Sequence, residues 1–165
     1  MGRALGVTMI GTVSTDAKAE IAKANCCAHT IVTSRENIAE RVREITDGKG
    51  VPVVYDSVGK DTLMASLDSP RPCGSLISNG TSSGPVVIDT TLLAVKGSIC
   101  VTRPAMIHYP TPRSHMLAMA DELFDLVLAD KIKSEFSQTF ALAAAAQAHR
   151  ALESRATTGA TVLVP

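Results

Sequence analysis

Apolar and polar positions fall in two alternating patterns along this chain. Short unbroken runs of apolar, often β-branched residues are separated by stretches whose apolar residues recur every three or four positions. The clearest run is Val51-Pro52-Val53-Val54-Tyr55, closed by Asp56-Ser57-Val58-Gly59 and a polar helix start, Lys60-Asp61-Thr62. An apolar run without alternation fits a strand covered on both faces, the kind found in parallel sheets. The small residues after it stand where an open α/β sheet carries its ligand.

The remaining elements arrange themselves around this strand. Residues 1–5 read as the last turn of a helix, stopped by Gly6, and residues 7–13 as a strand. Ser14-Thr15-Asp16 supplies N-cap chemistry for a helix over 17–24, and residues 28–32 form the next strand. Residues 36–46 make an amphipathic helix, with Ile38, Val42 and Ile45 on one face. After the strand at 51–55 come a short helix over 59–67, a turn at Pro70-Arg71-Pro72 and a strand at 73–78. A loop of small residues at 79–85, a helix at 89–95 and a strand at 98–102 follow. The strong helix over 114–129 is expected to turn Leu117, Leu123, Phe124 and Leu128 inward. A strand at 134–140, an alanine-rich helix at 142–154 and a strand at 158–164 complete the series. Strands alternating with helices predict βαβ units and right-handed crossovers. The fold class is therefore α/β, a mostly parallel sheet with helices on both faces.

Composition narrows the function. Lys plus Arg and Asp plus Glu each number 16, so no charge surplus points to nucleic acid or to an anionic membrane. No apolar run approaches the roughly 18 residues of a membrane span. The opening Met1-Gly2-Arg3-Ala4-Leu5-Gly6 leads straight into a strand, so no signal peptide is expected, and Gly6 stands where myristoylation prefers Ser or Thr. Cys26, Cys27, Cys73 and Cys100 have neither zinc nor disulfide spacing, which reads as free thiols in a reducing cytosol. The four histidines are scattered, so no metal site is expected.

Two places carry candidate chemistry. At the end of the first strand, Ser14 is followed by Lys18 in the first helical turn, where a cation opposes the helix dipole. An anion held by Ser14, the helix N-terminus and Lys18 removes that conflict, and the 2′-phosphate of NADP fits. The plainer alternative is a surface lysine with Asp16 as an ordinary cap. The second place is Asn79-Gly80-Thr81-Ser82-Ser83-Gly84, whose small residues allow close backbone approach to a ligand; an ordinary connecting loop explains them too. Ser57-Val58-Gly59 is open to both readings, and Arg155 reads as a surface residue before the last strand. No nucleophile–base pair, metal motif or phosphate-binding glycine motif is present, so no catalytic side chain is nominated.

Longer strings give these segments a context. Ile10-Gly11-Thr12-Val13-Ser14, Val53-Val54-Tyr55-Asp56-Ser57-Val58-Gly59-Lys60-Asp61-Thr62, Val101-Thr102-Arg103-Pro104 and Leu152-Glu153-Ser154-Arg155-Ala156-Thr157-Thr158-Gly159 are among them. Almost end to end, the chain resembles the quinone oxidoreductase (zeta-crystallin-like) branch of the medium-chain dehydrogenase/reductases. The resemblance implies an NADPH-dependent, zinc-independent cytoplasmic enzyme that passes hydride to a quinone or similar unsaturated carbonyl. It implies that Ser14 and Lys18 face the 2′-phosphate, with Thr33 standing where relatives often have a tyrosine. Ser57 and Val58 then line the adenosine side, and Gly80, Thr81 and Ser82 the nicotinamide side, where Asn79 replaces an aromatic. Arg103 lies beside the nicotinamide half and Arg155 reaches back toward the cofactor.

Relatives of that branch are about twice as long. The resemblance therefore implies that the first Rossmann strand and its Gly-rich loop are missing, residues 1–133 being a truncated NADP-binding domain. Residues 134–165 correspond to a segment that packs with the catalytic domain. Without that strand, either the strand at 7–13 pairs directly with 51–55 or another copy fills the gap. Cys26 stands in place of a helix-ending glycine, with Asn25 expected to take the left-handed conformation. Pro52 is tolerable only at a strand's first residue. The strand at Ser98 to Thr102 is expected to pair with its copy in a homodimer, and the fragment is expected to be inactive alone. An enoyl or alkenal reductase of the same superfamily, and a non-catalytic nucleotide-binding or dimerisation module, are the competing readings.

Overall fold

The computed structural model describes residues 2–132, 136–154 and 157–165. Its elements are β1 (Ile10–Val13), α1 (Asp16–Ala24), β2 (His29–Val32), α2 (Ile38–Ile45), β3 (Val51–Asp56), α3 (Leu63–Asp68) and β4 (Pro70–Ser78). Next come α4 (Thr90–Val95), β5 (Cys100–Thr102), α5 (Arg113–Leu128), β6 (Phe136–Ala141), α6 (Ala145–Glu153) and β7 (Ala160–Val164). All strand pairs are parallel, so every crossover runs through a helix and the strand C-termini of each sheet share one end. The α/β expectation holds. Among the described residues no helix is long and apolar enough to cross a membrane.

The strands form three sheets: β1-β2, β3-β4-β5 and β6-β7. Of the two alternatives for the gap, direct pairing of the first strand with β3 does not occur among the described residues. Among the described residues β1 pairs with β2 on one side only, and β3 with β4 on one side only. Tyr55 on β3 is 73% exposed, and Val7 and Met9, expected within the first strand, lie before it and are exposed. A backbone edge without a neighbour keeps its N–H and C=O groups free for water.

The tightest packing lies under the middle sheet. Leu67 of α3, Leu76 of β4 and Ile99 before β5 are buried together, with Val54, Leu63, Leu92, Leu93 and Val101 against them. Ile31, Val32, Ala19 and Val42 are the buried apolar residues of the β1-β2 unit. α2 links the two units through Arg43, whose Nη2 donates to the carbonyls of Asp68 at 3.0 Å and Pro70 at 3.1 Å. Pro70-Arg71-Pro72 belongs to β4 rather than to a turn, because Pro70 pairs with Val51. Pro52 sits at the resulting register irregularity between Val51 and Val53, where a missing ladder donor is tolerated.

α5 departs from expectation. It buries no residue, Phe124 is 61% and Leu128 84% exposed, and Leu117 and Leu123 are exposed with them. An apolar stripe shows which face would seek cover, not whether a neighbour covers it within the same 165 residues.

The C-terminus of α1 is a second correction. Asn25 has φ −89°, and Cys26 instead takes the left-handed conformation at φ 69°. The Asn25 side chain donates to the Ile21 carbonyl at 3.1 Å, which suits the right-handed backbone. A β-carbon in that region is strained. Cys26→Gly is therefore expected to stabilise the chain by about 0.5–1 kcal/mol, a rise in melting temperature of roughly 1–4 °C by calorimetry. A fall would mean that the exposed contact from Arg3 Nη1 to Cys26 Sγ, at 3.0 Å, outweighs the strain.

Candidate functional site

The loops after β3, β4 and β5 meet at one end of the middle sheet. Their join is built on Asp56, the last residue of β3, only 6% exposed. Its carboxylate accepts from the Val58 N–H at 2.8 Å and the Gly59 N–H at 3.0 Å, which turns the chain sharply out of the strand. It also accepts from Thr62 Oγ1 at 2.8 and 2.9 Å and from Ser66 Oγ at 2.7 Å, which ties the start of α3 to the strand end. Burial pushes this carboxyl up, but the bonds from Ser66, Gly59, Thr62 and Val58 together outweigh it and hold the group below the usual carboxylate range.

The loop after β4 is laid directly on this turn. Asn79 N–H and Gly80 N–H both donate to the Asp56 carbonyl, at 2.9 and 3.2 Å. Ser83 closes the other side, its N–H at 2.8 Å and its Oγ at 2.9 Å from the Val58 carbonyl, while Asp61 N–H donates to Ser83 Oγ at 3.0 Å. Ser82 Oγ reaches the Ser57 carbonyl at 3.4 Å. A β-carbon on Gly80 would lie 2.1 Å from the Ser57 carbonyl oxygen, so only glycine permits this approach. Arg103, just past β5, donates from Nη1 to the carbonyls of Ser78 at 3.1 Å and Gly80 at 2.9 Å. Seven of the residues nominated from sequence (Ser57, Val58, Asn79, Gly80, Thr81, Ser82 and Arg103) thus stand on three joined loops.

Ser14, Lys18 and Thr33 form a second group, at the ends of β1 and β2. Thr15 caps α1, its Oγ1 accepting from the Lys18 N–H at 3.3 Å, so Asp16 is not the cap but the first helical residue. Thr33 N–H and Oγ1 both donate to the Val13 carbonyl, at 2.8 and 3.1 Å, pinning the two strand ends together. Arg35, two residues on, donates from Nη1 to both Asp16 carboxylate oxygens at 2.6 and 2.8 Å. Asp16 thereby raises the already high pKa of that guanidinium. Lys18 also lines a shallow cleft between α1 and residues 157–159, with Ile21 and Asn25. Arg155 lies outside the described residues. No strand pairing joins this group to the three loops among the described residues.

Sequence reasoning passed over Asp56 and Arg35. Asp56 had a signal: an aspartate closing an apolar strand, with Gly59 three residues on and Thr62 six on, is the pattern of a side chain capping its own turn. Arg35 had none, because its partner Asp16 is 19 residues distant.

A family model described as zinc-binding dehydrogenase matches residues 27–163. A quinone oxidoreductase from Pseudomonas aeruginosa is 52% identical over 164 residues, covering 99% of this chain and 50% of that protein. A 2-haloacrylate reductase from Burkholderia sp is 49% identical over 166 residues, covering 99% and 50%. The crystal structure of Escherichia coli quinone oxidoreductase complexed with NADPH matches with a TM-score of 0.95 at 42% identity, over 99% of this chain and 51% of that one. The chain spans about half the length of the curated relatives it matches. Among the described residues no group of three or more His, Cys, Asp and Glu side chains is placed to hold a metal, so these residues do not fit the zinc that the family description implies.

Proposed function

We propose that this chain, which belongs to the zinc-binding dehydrogenase family and to its quinone oxidoreductase branch, holds NADPH along the ends of β1 to β5 for hydride transfer to a quinone. The observation that carries this reading is the hydrogen-bonded join of the loops after β3, β4 and β5, which exposes a floor of small side chains at the strand ends. A second feature suits the cofactor's phosphate: Ser14, Lys18 and the capped start of α1 stand together at the end of β1. Residues 1–133 form the nucleotide-holding part, and 134–165 the segment that packs with the remaining half of a full-length enzyme.

In this reading Ser14 and Lys18 take the adenosine 2′-phosphate with Thr33 beside it, Ser57 and Val58 the adenosine side, and Asn79, Gly80, Thr81 and Ser82 the nicotinamide side. Arg103 positions the nicotinamide loop through the Ser78 and Gly80 carbonyls. Arg155 reaches back toward the cofactor. Bound NADPH supplies a hydride, and with one proton from solvent the quinone leaves as hydroquinone. The chain contributes alignment and fixed dipoles, and no side chain forms a bond to the substrate. β5 ends the middle sheet, and the edge from Ser98 to Thr102 that contains it pairs with its copy in a homodimer. The free thiols suit a cytosolic enzyme.

Calorimetric titration of the 165-residue chain with NADPH and NADH tests the reading. A charge-assisted bond from Lys18 to phosphate is worth about 1.5–3 kcal/mol, roughly ten- to a hundred-fold in affinity. NADPH is expected to bind tighter by that factor, and Lys18→Ala to remove most of the preference. Equal affinities would overturn the reading. Quinone-dependent loss of NADPH absorbance is expected at background, because transfer needs the reacting carbons held within about 3–3.5 Å and shielded from water. Saturable turnover would show that these residues suffice for both.

A further inference from the structure

We infer that Arg35 is a specificity residue for the cofactor's 2′-phosphate, held in place beside the site by Asp16 until the phosphate arrives. This rests on the NADPH reading above. Its own observation is geometric. Arg35 leaves the end of β2 and crosses to the start of α1, where one nitrogen, Nη1, touches both oxygens of Asp16. Asp16 lies two residues from Ser14 and two from Lys18. The guanidinium is therefore already docked on an anion carried by the same helix start that holds Lys18 and follows Ser14.

The chemistry favours exchange of one anion for the other. Both partners are exposed, with side chains at 56% and 73% of full accessibility, so their ion pair is screened and weak. A planar guanidinium matches phosphate as well as carboxylate, and a phosphate carries more charge. Thr33 adds a reason for the residue. It carries no charge and its hydroxyl donates to the Val13 carbonyl, so Arg35 is the cation that this strand end offers. Asp16 plays two parts: it orients Arg35 in the absence of cofactor, and it opposes any anion through its own charge.

The test uses adenosine 2′,5′-bisphosphate and 5′-AMP as probes, titrated calorimetrically into the 165-residue chain, with circular dichroism to confirm folding. Neither probe has a nicotinamide, so the measurement is independent of turnover. The unmutated chain is expected to prefer the bisphosphate. Arg35→Ala should weaken bisphosphate binding about ten-fold and leave 5′-AMP unchanged. Arg35→Lys keeps the charge without the fork and should recover part of the loss. Asp16→Asn should strengthen bisphosphate binding roughly three-fold at low salt, an effect that fades as salt rises. If Arg35→Ala leaves the preference intact while Lys18→Ala abolishes it, the role of Arg35 is refuted and the NADPH reading stands. If the unmutated chain shows no preference, both fall.

Discussion

Asp56→Ala is expected to destabilise the chain by about 3–5 kcal/mol, the range for removing one side of a buried, charged hydrogen-bond network. The N–H groups of Val58 and Gly59 and the hydroxyls of Thr62 and Ser66 all point at this carboxylate, and Thr62 alone has a second acceptor in the Gly59 carbonyl at 3.3 Å. Urea denaturation at neutral pH reads the loss directly, and a change under 1 kcal/mol would mean that water replaces the carboxylate cheaply. Asp56→Asn separates charge from shape. The amide keeps one acceptor, so a smaller loss of about 1.5–3 kcal/mol is expected. The pH dependence follows from the direction of the shift. Because the folded-state pKa lies below the unfolded value, near 3.9 for aspartate, this contribution is fully present above the unfolded pKa. It is lost as pH falls through the folded pKa. The Asn variant should therefore show a flatter decline in stability between about pH 5 and acid than the unmutated chain.

Gly80→Ala is expected to cost about 3 kcal/mol and to lower NADPH affinity at least ten-fold. The added carbon would lie 2.1 Å from the Ser57 oxygen and 2.6 Å from its carbonyl carbon and Cα. All three are backbone atoms, so no rotamer change relieves the contact. The two loops have to part, which breaks the bonds from the Gly80 N–H to Asp56 and from Arg103 to the Gly80 carbonyl. Thermal unfolding and cofactor titration should therefore fall together. Unchanged NADPH binding in a destabilised variant would detach this join from the cofactor.

Most elements were legible because periodicity and turn chemistry are local. β3 could be read from five consecutive residues and a following Gly, and the α1 N-terminus from Ser14-Thr15-Asp16, though the capping residue proved to be Thr15. The loop at 79–84 was legible from its small residues alone. What was not legible is non-local. Sequence spacing left open whether β1 lies against β3 or the gap is filled from elsewhere, and the two strands belong to separate sheets. The inward face assigned to α5 is apolar as expected but exposed, since patterning fixes a face and not its cover. The left-handed residue after α1 was assigned to Asn25 on intrinsic preference. Asn25 instead keeps a right-handed backbone with its side chain bonded to the Ile21 carbonyl, and Cys26 takes the left-handed conformation. Arg35 required knowing that the ends of β1 and β2 abut.

The way the loop after β4 is fastened also bears on how such a site diversifies over evolutionary time. Its anchors are mainly main-chain atoms: the N–H groups of Asn79, Gly80 and Ser83, and the Gly80 carbonyl. Identity is demanded at Gly80 by the close approach and at Ser83 by its hydroxyl, while the exposed side chains of Asn79 and Thr81 are not among those anchors. Exchange of residues at 79 and 81 then alters what the floor presents without loosening the floor itself.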